Sequence, residues 1–437
     1  MNIKLPEHVL WLIRTLESNG AEAWIVGGCV RDSILGREPK DWDICTDAKP
    51  DRILSIFAGQ HVLETGLKHG TVSVVLEHVP YEITTYRVDG GYTDHRHPDD
   101  VHFVSEIRED LSRRDFTMNA MAWHPERGLM DPFGGERDLR NACIRCVGDA
   151  EKRFEEDALR ILRALRFAAT FGFRLSQDTS TACMAKKGTL AYVAAERIYT
   201  ELGKLILGPA CQNVLVQYAD ILAEVIPELR SILDENPKET YLHICTALSM
   251  SPANLPFRLA ILLHECRPEK TADLDKTDIK NAASHETAAL CRNVLMRLKA
   301  DRTTLDYVTS LVTWKSLPVP YTRSQMLQCM HRIGPDIMQS VLLMQRLDAL
   351  ADPMQCHDSL ICRIDQATAL LNDLLEQDAC YTLKQLKIHG EDLKQAGFTS
   401  GRELGAALEH LLALVMDGQL PNERNALLER ASQILHS

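Results

Sequence analysis

The stretch GGCVRDSILGREPKDWDICTDAKP, residues 27–50, decides how this chain is read. Within it Asp41 and Asp43 stand one residue apart. A strand directs residues i and i+2 to the same face, so a strand over residues 42–45 would let both carboxylates converge on one or two cations. Oxygen donors of this kind suit hard divalent ions. Upstream, Gly27 and Gly28 allow backbone to pass close to a ligand. Residues 30–35 can open a helix whose free amide end favours phosphate. The combination predicts a metal-dependent nucleotide site near the start of the chain, with Gly28 contacting the triphosphate by backbone and Arg31 by charge-assisted hydrogen bonds.

Working outward, the 437 residues allow two to four domains. Hydrophobic residues make up 45% and charged residues 25%, an ordinary balance for a water-facing chain. No apolar run approaches the roughly 18 residues of a membrane span, and the first residues carry no signal-peptide pattern. Thirteen cysteines without regular spacing fit a reducing cytoplasm. Cys143 and Cys146 form one CxxC, but no second pair or nearby histidine completes a zinc site. The net charge of −12 argues against nucleic acid binding over the whole surface. It leaves room for a local basic track, because phosphate contacts need only a few well-placed Arg and Lys.

Residues 1–145 mix helix and strand. Residues 10–16 read as a helix, with Pro6 near its start and Gly20 closing it. Residues 23–26 read as a strand entering the glycine turn. Residues 72–76 and 81–86 read as a hairpin turning through His78, Val79 and Pro80, and residues 89–98 as a polar loop. Beyond Asp149 the pattern is helical almost throughout. Residues 153–171 form a strongly amphipathic helix: Ala158, Ile161, Leu162, Leu165 and Ala168 share one arc. Glu156, Arg160 and Arg163 share the opposite arc, with Asp157 between. Residues 190–207 give another helix, and a break at residues 377–381 precedes a last helical segment.

Further motifs follow in order. Arg113-Arg114-Asp115-Phe116-Thr117-Met118-Asn119-Ala120 is the second, and Asp131-Pro132-Phe133-Gly134-Gly135 the third. Glu156-Asp157-Ala158-Leu159-Arg160, with Arg163 and Arg166, is the fourth; Glu196-Arg197-Ile198 with Glu201-Leu202 is the fifth. Together with residues 27–50 they resemble the class II tRNA CCA-adding enzymes and bacterial poly(A) polymerases. The resemblance covers residues 27–202 closely and the C-terminal half more loosely.

That resemblance implies an α+β fold. A polymerase-β-like nucleotidyltransferase head with a mixed sheet (1–145) would be followed by an all-α neck (146–209), body (210–375) and tail (376–437). It implies template-independent addition of CCA to the tRNA 3′ end from CTP and ATP. Two Mg²⁺ ions would be held by Asp41 and Asp43. Glu82, on a neighbouring strand, is the candidate third carboxylate; a solvated strand-face glutamate is the other reading. Arg113 and Arg114 could reach the phosphates or sugar, or could simply form salt bridges. In the resembled family the residues matching Asp157 and Arg160 read the base edge in place of a template, and Arg163 and Arg166 belong to the same nucleotide-binding motif. Asp accepts from an exocyclic amino group and Arg donates to a ring nitrogen or carbonyl. Uracil lacks that amino group, so UTP should be rejected. An ion pair on an exposed helix is the plainer account of the same two residues.

Residues 89–98, with Asp94 and Arg96, resemble the flexible loop of members that add the terminal A. The tail resembles the RNA-gripping end of the family, where Lys394 and Arg402 are candidates; helix capping is the competing role for Gly401-Arg402. His243, His264-Glu265 and His285 resemble the phosphohydrolase domain of some relatives. Glu265 stands where the metal-binding Asp would be needed, so a body without that metal site is expected. An A-adding enzyme acting on tRNA ending in CC, a poly(A) polymerase, and a non-catalytic RNA-binding module stay open as alternatives. The expected partners are tRNA and nucleoside triphosphates, with no membrane, in a cytoplasmic monomer or homodimer.

Overall fold

In the computed structural model the described residues are 3–64, 66–90, 101–234, 237–267, 279–352, 357–399 and 401–435. They form two compact units, residues 1–227 and 228–437. No helix among the described residues is long and apolar enough to cross a membrane.

The first unit is built on a mixed sheet. Its strands are β1 (Ala23–Val26), β2 (Ile44–Thr46), β3 (His61–Leu63), β4 (Thr71–Leu76) and β5 (Val79–Thr85). A short pair, β6 (Arg87–Asp89) and β7 (Val101–Phe103), stands apart as its own ribbon; β8 (Ala122–His124) and β9 (Gly128–Met130) complete the main sheet. The order is β3-β4-β5-β2-β1-β8-β9, with only the β2–β5 pair parallel. Ala23, Trp24, Ile25 and Val26 are all buried, as expected for an apolar strand inside a sheet covered on both faces. Helix α1 (Glu7–Ser18) buries Val9, Leu12, Ile13 and Leu16, the i, i+3, i+4, i+7 stripe of an amphipathic helix.

The glycine turn leads from β1 into α2 (Gly28–Ile34), and α3 (Pro50–Ile56) follows β2. The second motif follows α4 (Ile107–Ser112), with Arg113 at its C-terminal cap and Arg114 just beyond. Helix α5 (Gly135–Arg140) begins in the third motif. Asp131 accepts from the amides of Gly135 at 2.7 Å and Glu136 at 3.0 Å. A Cβ on Gly135 would lie 2.2 Å from the Thr117 carbonyl oxygen, so only glycine lets α5 pack there.

Several local expectations are corrected. The β4–β5 turn is made by Glu77 and His78, both with positive φ (47° and 66°), and Val79 and Pro80 already belong to β5. Two left-handed central residues match the right-handed twist of a hairpin. The second strand starts at Ile44, so Asp43 lies just before it. The long amphipathic helix is broken: α6 (Ala150–Glu156) ends, Asp157 is extended (φ −145°, ψ 101°), and α7 (Leu159–Phe171) begins. The apolar arc still holds, since Ile161, Leu162, Leu165 and Ala168 of α7 are all buried. Each such leucine or isoleucine contributes about 1.5–3 kcal/mol.

Two-residue strands β10 (Cys143–Ile144) and β11 (Arg174–Leu175) pair in parallel. Helices α8 (Gln177–Lys186), α9 (Ala195–Ile206), α10 (Cys211–Gln217) and α11 (Ala219–Val225) complete the unit. The helix expected over 190–207 starts only at Ala195, because residues 187–192 form a 3₁₀ segment.

The second unit is helical among its described residues. It begins with α12 (Arg230–Leu233), α13 (Pro237–Met250), α14 (Leu255–Leu263), α15 (Ile279–Arg297) and α16 (Arg302–Trp314). It continues through α17 (Arg323–Ile333), α18 (Pro335–Ala351), α19 (Asp358–Glu376), α20 (Gly390–Gln395), α21 (Arg402–Met416) and α22 (Arg424–Leu435). A core of Met326, Met330, Leu342, Leu371, Leu411 and Leu427, among others, joins α17 to α22. Described cysteines are free thiols, most of them buried, Cys143 and Cys146 included.

Candidate active site

Asp43 is fixed by its backbone. Its carbonyl accepts from Val26 N at 3.0 Å, extending the β1–β2 ladder. The parallel pairing Ile44↔Ile83 sets Asp43 level with Glu82 on β5. Burial pushes the Asp43 carboxyl up to about 6, the negative charges of Asp41 and Glu82 add to that rise, and Arg114 opposes it. Asp41 and Glu82 are exposed. Like charges crowded against a half-buried carboxylate are what a bound cation relieves. Among the described residues no group of three or more His, Cys, Asp or Glu side chains is gathered closely enough to hold a metal ion by itself. Magnesium asks for less: one or two carboxylates suffice when phosphate oxygens supply the remaining ligands. The donor set at Asp41 and Asp43 therefore fits such an ion.

Gly27 has φ 81°, and a Cβ there would sit 2.9 Å from Arg114 Nη1. The turn thus admits the Arg114 guanidinium beside β1 because residue 27 has no side chain. Arg113 and Arg114 both meet Asp110, which is buried: Arg113 Nη2 at 2.8 Å and Arg114 Nη2 at 3.3 Å. Burial alone would raise the Asp110 carboxyl, but the two guanidiniums outweigh it and hold it low. The salt-bridge account of these arginines is therefore real. The Arg114 charge also acts on Asp43, lowering its carboxyl.

Arg31, on α2, donates to both carboxylate oxygens of Asp32 (2.9 and 3.0 Å) and to Asn119 at 2.6 Å. Its guanidinium also lies 5.2 Å from the Phe167 ring and 5.0 Å from the Phe171 ring. Asp115, buried in the second motif, accepts from Asn119 at 3.0 Å and from Arg163 at 2.6 and 2.9 Å. Against the burial that would raise it, Arg163 and Asn119 bring the Asp115 carboxyl down to about 2. Arg166 pairs with buried Glu201 at 2.9 Å and stacks 3.9 Å over Phe167.

Asp157 and Arg160 do not pair with each other through their side chains. Asp157 caps α7 by accepting from Leu159 N at 3.1 Å, and Arg197 of α9 donates to it at 2.8 Å. Arg160 meets Glu156 and donates to the carbonyl oxygens of Arg153 (3.1 Å) and Arg113 (3.2 Å). The two side chains are thus held separately, one from α9 and one from α6. Asp110, Asn119 and Arg197 were not anticipated as functional. Asn119 and Arg197 lie inside quoted motifs, and the i, i+4 spacing of Asp115 and Asn119 was the available signal.

Asp94 and Arg96 lie outside the described residues. In the second unit Arg402 opens α21 and is exposed. Lys394 is taken up by Glu391 at 2.8 Å. His243, His264 and Glu265 line a cavity of about 460 Å³ with Asp348, while His285 is exposed and elsewhere. The contacts there set imidazoles and one ammonium against carboxylates. Asp348 faces His243 at 3.7 Å and His264 at 3.5 Å, and Lys315 holds Glu265 at 2.7 Å.

Three family models match this chain: "Poly A polymerase head domain" over residues 23–145, "Probable RNA and SrmB-binding site of polymerase A" over 172–233, and tRNA nucleotidyltransferase domain 2 over 283–431. The CCA-adding enzyme of Geobacillus thermodenitrificans is 46% identical over 224 residues, which span 51% of this chain and 55% of that enzyme. The match to such relatives thus covers about half their length. The Anoxybacillus flavithermus CCA-adding enzyme is 33% identical over 429 residues, 97% of this chain and 96% of its own. The crystal structure of the Bacillus stearothermophilus CCA-adding enzyme in complex with CTP superposes with a TM-score of 0.69 at 28% identity, covering 98% of this chain and 97% of that one. The Thermotoga maritima CCA-adding enzyme complexed with tRNA shares the fold (TM-score 0.62, 21% identity, 99% and 96% covered). With the ordered motifs on a mixed-sheet head and an end-to-end relative at one-third identity, the chain belongs to the class II CCA-adding enzyme, or tRNA nucleotidyltransferase, family.

Proposed function

We propose that this chain adds CCA to the 3′ end of tRNA without a template, using CTP and ATP and releasing pyrophosphate. One observation supports the reading most: the β1–β2 ladder and the β2–β5 register bring Asp43, two residues from Asp41, level with Glu82, a set of carboxylates suited to a divalent cation. Two Mg²⁺ ions held by Asp41 and Asp43, with Glu82 as the third carboxylate, would stabilise the attacking and leaving oxygens together.

The chain's own groups do the rest. Gly28, through its backbone, and Arg31, Arg113 and Arg114 bind the triphosphate. Asp157 accepts from the exocyclic amino group of cytosine or adenine, and Arg160 donates to the base edge, with Arg163 and Arg166 backing that wall. Anchoring by Arg197, Glu156 and backbone carbonyls keeps the two readers in place before a nucleotide arrives, which lowers the cost of selection. Residues 1–145 act as catalytic head, 146–209 as neck, 210–375 as body and 376–437 as tail, where Lys394 and Arg402 contact tRNA. Free thiols suit a reducing cytoplasm, and the chain acts there as a monomer or homodimer.

The test is to incubate the protein with Mg²⁺, labelled CTP or ATP, and tRNAs ending in the discriminator base, C or CC, and to sequence the products. Stepwise completion of CCA on all three is expected. Addition of A only to tRNA ending in CC would replace this reading with A addition, and long A tails would replace it with poly(A) synthesis.

A further inference from the structure

The C-terminal end of α7 carries a cluster of which the site above uses only Phe171, as a ring face for Arg31. Gly172, at φ 71°, ends the helix and turns the chain. Phe171 and Phe173 then lie side by side, ring centroids 5.5 Å apart and tilted by 39°. Arg37 stacks on Phe171 at 4.7 Å. Phe173 borders a cavity of about 310 Å³ lined also by Arg174, Asn213, Gln217 and Tyr218, over a floor that includes Leu175 and Val214.

Arg37, Arg174, Asn213 and Gln217 are all exposed. Their side chains make no hydrogen bond or ion pair with any described residue. That contrasts with Arg31, Arg113, Arg114, Arg160, Arg163 and Arg197, each tied to a carboxylate. The parts match the needs of an unpaired nucleotide. Ring faces accept bases of any identity, free amides bond base edges, and guanidiniums take phosphates. The volume sits at the lower end of the roughly 300–1,000 Å³ of ligand pockets, enough for a base with its sugar.

We propose that this cavity is a second nucleotide subsite, which holds one unpaired nucleotide of the acceptor RNA. The base lies against Phe173 and the amides of Asn213 and Gln217, with its phosphate on Arg174. This rests on the reading that the chain acts on tRNA. It is supported by the position of the cavity's polar lining within residues 172–233, which match the RNA-binding family model.

The test is fluorescence anisotropy of a labelled tRNA ending in CC, with the full-length protein and the variants Arg174→Glu, Arg174→Lys and Asn213→Ala/Gln217→Ala, alongside KM for CTP. Loss of a base or phosphate contact predicts a Kd for tRNA raised about fivefold or more in Arg174→Glu and in the double variant. Arg174→Lys should stay within about twofold, because it keeps the phosphate charge. KM for CTP and the thermal midpoint should not move. The double variant is neutral, so a long-range charge effect cannot account for its loss. Unchanged tRNA Kd in Arg174→Glu and the double variant would overturn the subsite. So would a second equivalent of bound CTP that disappears in Arg174→Glu, since the occupant would then be free nucleotide. If the wild type extends tRNA while the variants bind it normally, the subsite fails and the proposed activity stands. If the wild type extends nothing but the Kd shifts appear, the activity fails and the subsite stands.

Discussion

Arg197 closes on Asp157 from forty residues downstream, its Nη2 2.8 Å from one carboxylate oxygen and its Nη1 3.4 Å from the other. The contact reaches from α9 to the break between α6 and α7, so it fixes the carboxylate at a point where the backbone is not helical. A charge-assisted hydrogen bond contributes about 1.5–3 kcal/mol. Arg197→Ala should therefore cut the preference for CTP over UTP by about tenfold or more, at 1.36 kcal/mol per decade. Measuring kcat/KM for CTP, ATP and UTP checks this. Unchanged ratios would mean that Asp157 selects the base without this support, or does not select it.

Asp41→Ala and Asp43→Ala should each abolish incorporation. Losing several kcal/mol of charge stabilisation in the transition state corresponds to about a thousandfold or more. Binding of tRNA should persist, because neither residue is among the proposed tRNA contacts Lys394, Arg402 and Arg174. The readouts are single-turnover incorporation and tRNA Kd on the same preparations. Activity retained in either variant would remove that residue as an ion ligand.

Asp115 and Arg163 predict an acid limit on stability. The folded Asp115 carboxyl is depressed from 3.8 to about 2, so the pair's contribution is present above pH ~4 and is lost as pH falls toward 2. At 1.36 kcal/mol per pH unit the interval corresponds to about 2 kcal/mol. Asp115→Asn should be less stable than wild type by about that amount at pH 7, and the gap should close on acidification. Denaturant unfolding at pH 7, 5, 4 and 3 tests the sign; a gap that widens at low pH would contradict it.

How far the sequence could be read depends on distance along the chain. The glycine turn and the amphipathic arc of α7 are local patterns with a physical counterpart, whereas the strand expected to carry both aspartates begins only at Ile44. Ile44↔Ile83 pairing even sets Glu82 level with Asp43. The break at Asp157 was missed because a helical wheel weighs only the apolar face. The signal was there in the residue type: Asp157 accepts from Leu159 N, the bond of a helix N-cap. Arg31–Asn119, Asp115–Arg163 and Asp157–Arg197 join residues 88, 48 and 40 positions apart. No periodicity encodes such partners, so Arg31, read as a ligand of the triphosphate, is also held by Asp32 and Asn119.

Gly135 offers a test of the third motif that separates packing from chemistry. Its absent side chain lets α5 close on the second motif, where a Cβ would meet the Thr117 carbonyl at 2.2 Å and Met121 at 2.9 Å. Backbone cannot swing aside as a side-chain tip can, so Gly135→Ala must displace the start of α5 or the Thr117–Asn119 turn. Overpacking of this kind costs about 1–3 kcal/mol. Because Asn119 of that turn holds both Arg31 and Asp115, the shift should also raise KM for CTP. The expected result is a lower thermal midpoint together with a weaker KM for CTP. A lower midpoint with unchanged KM would show that the turn carries fold stability alone and that Asn119 does not set the position of Arg31.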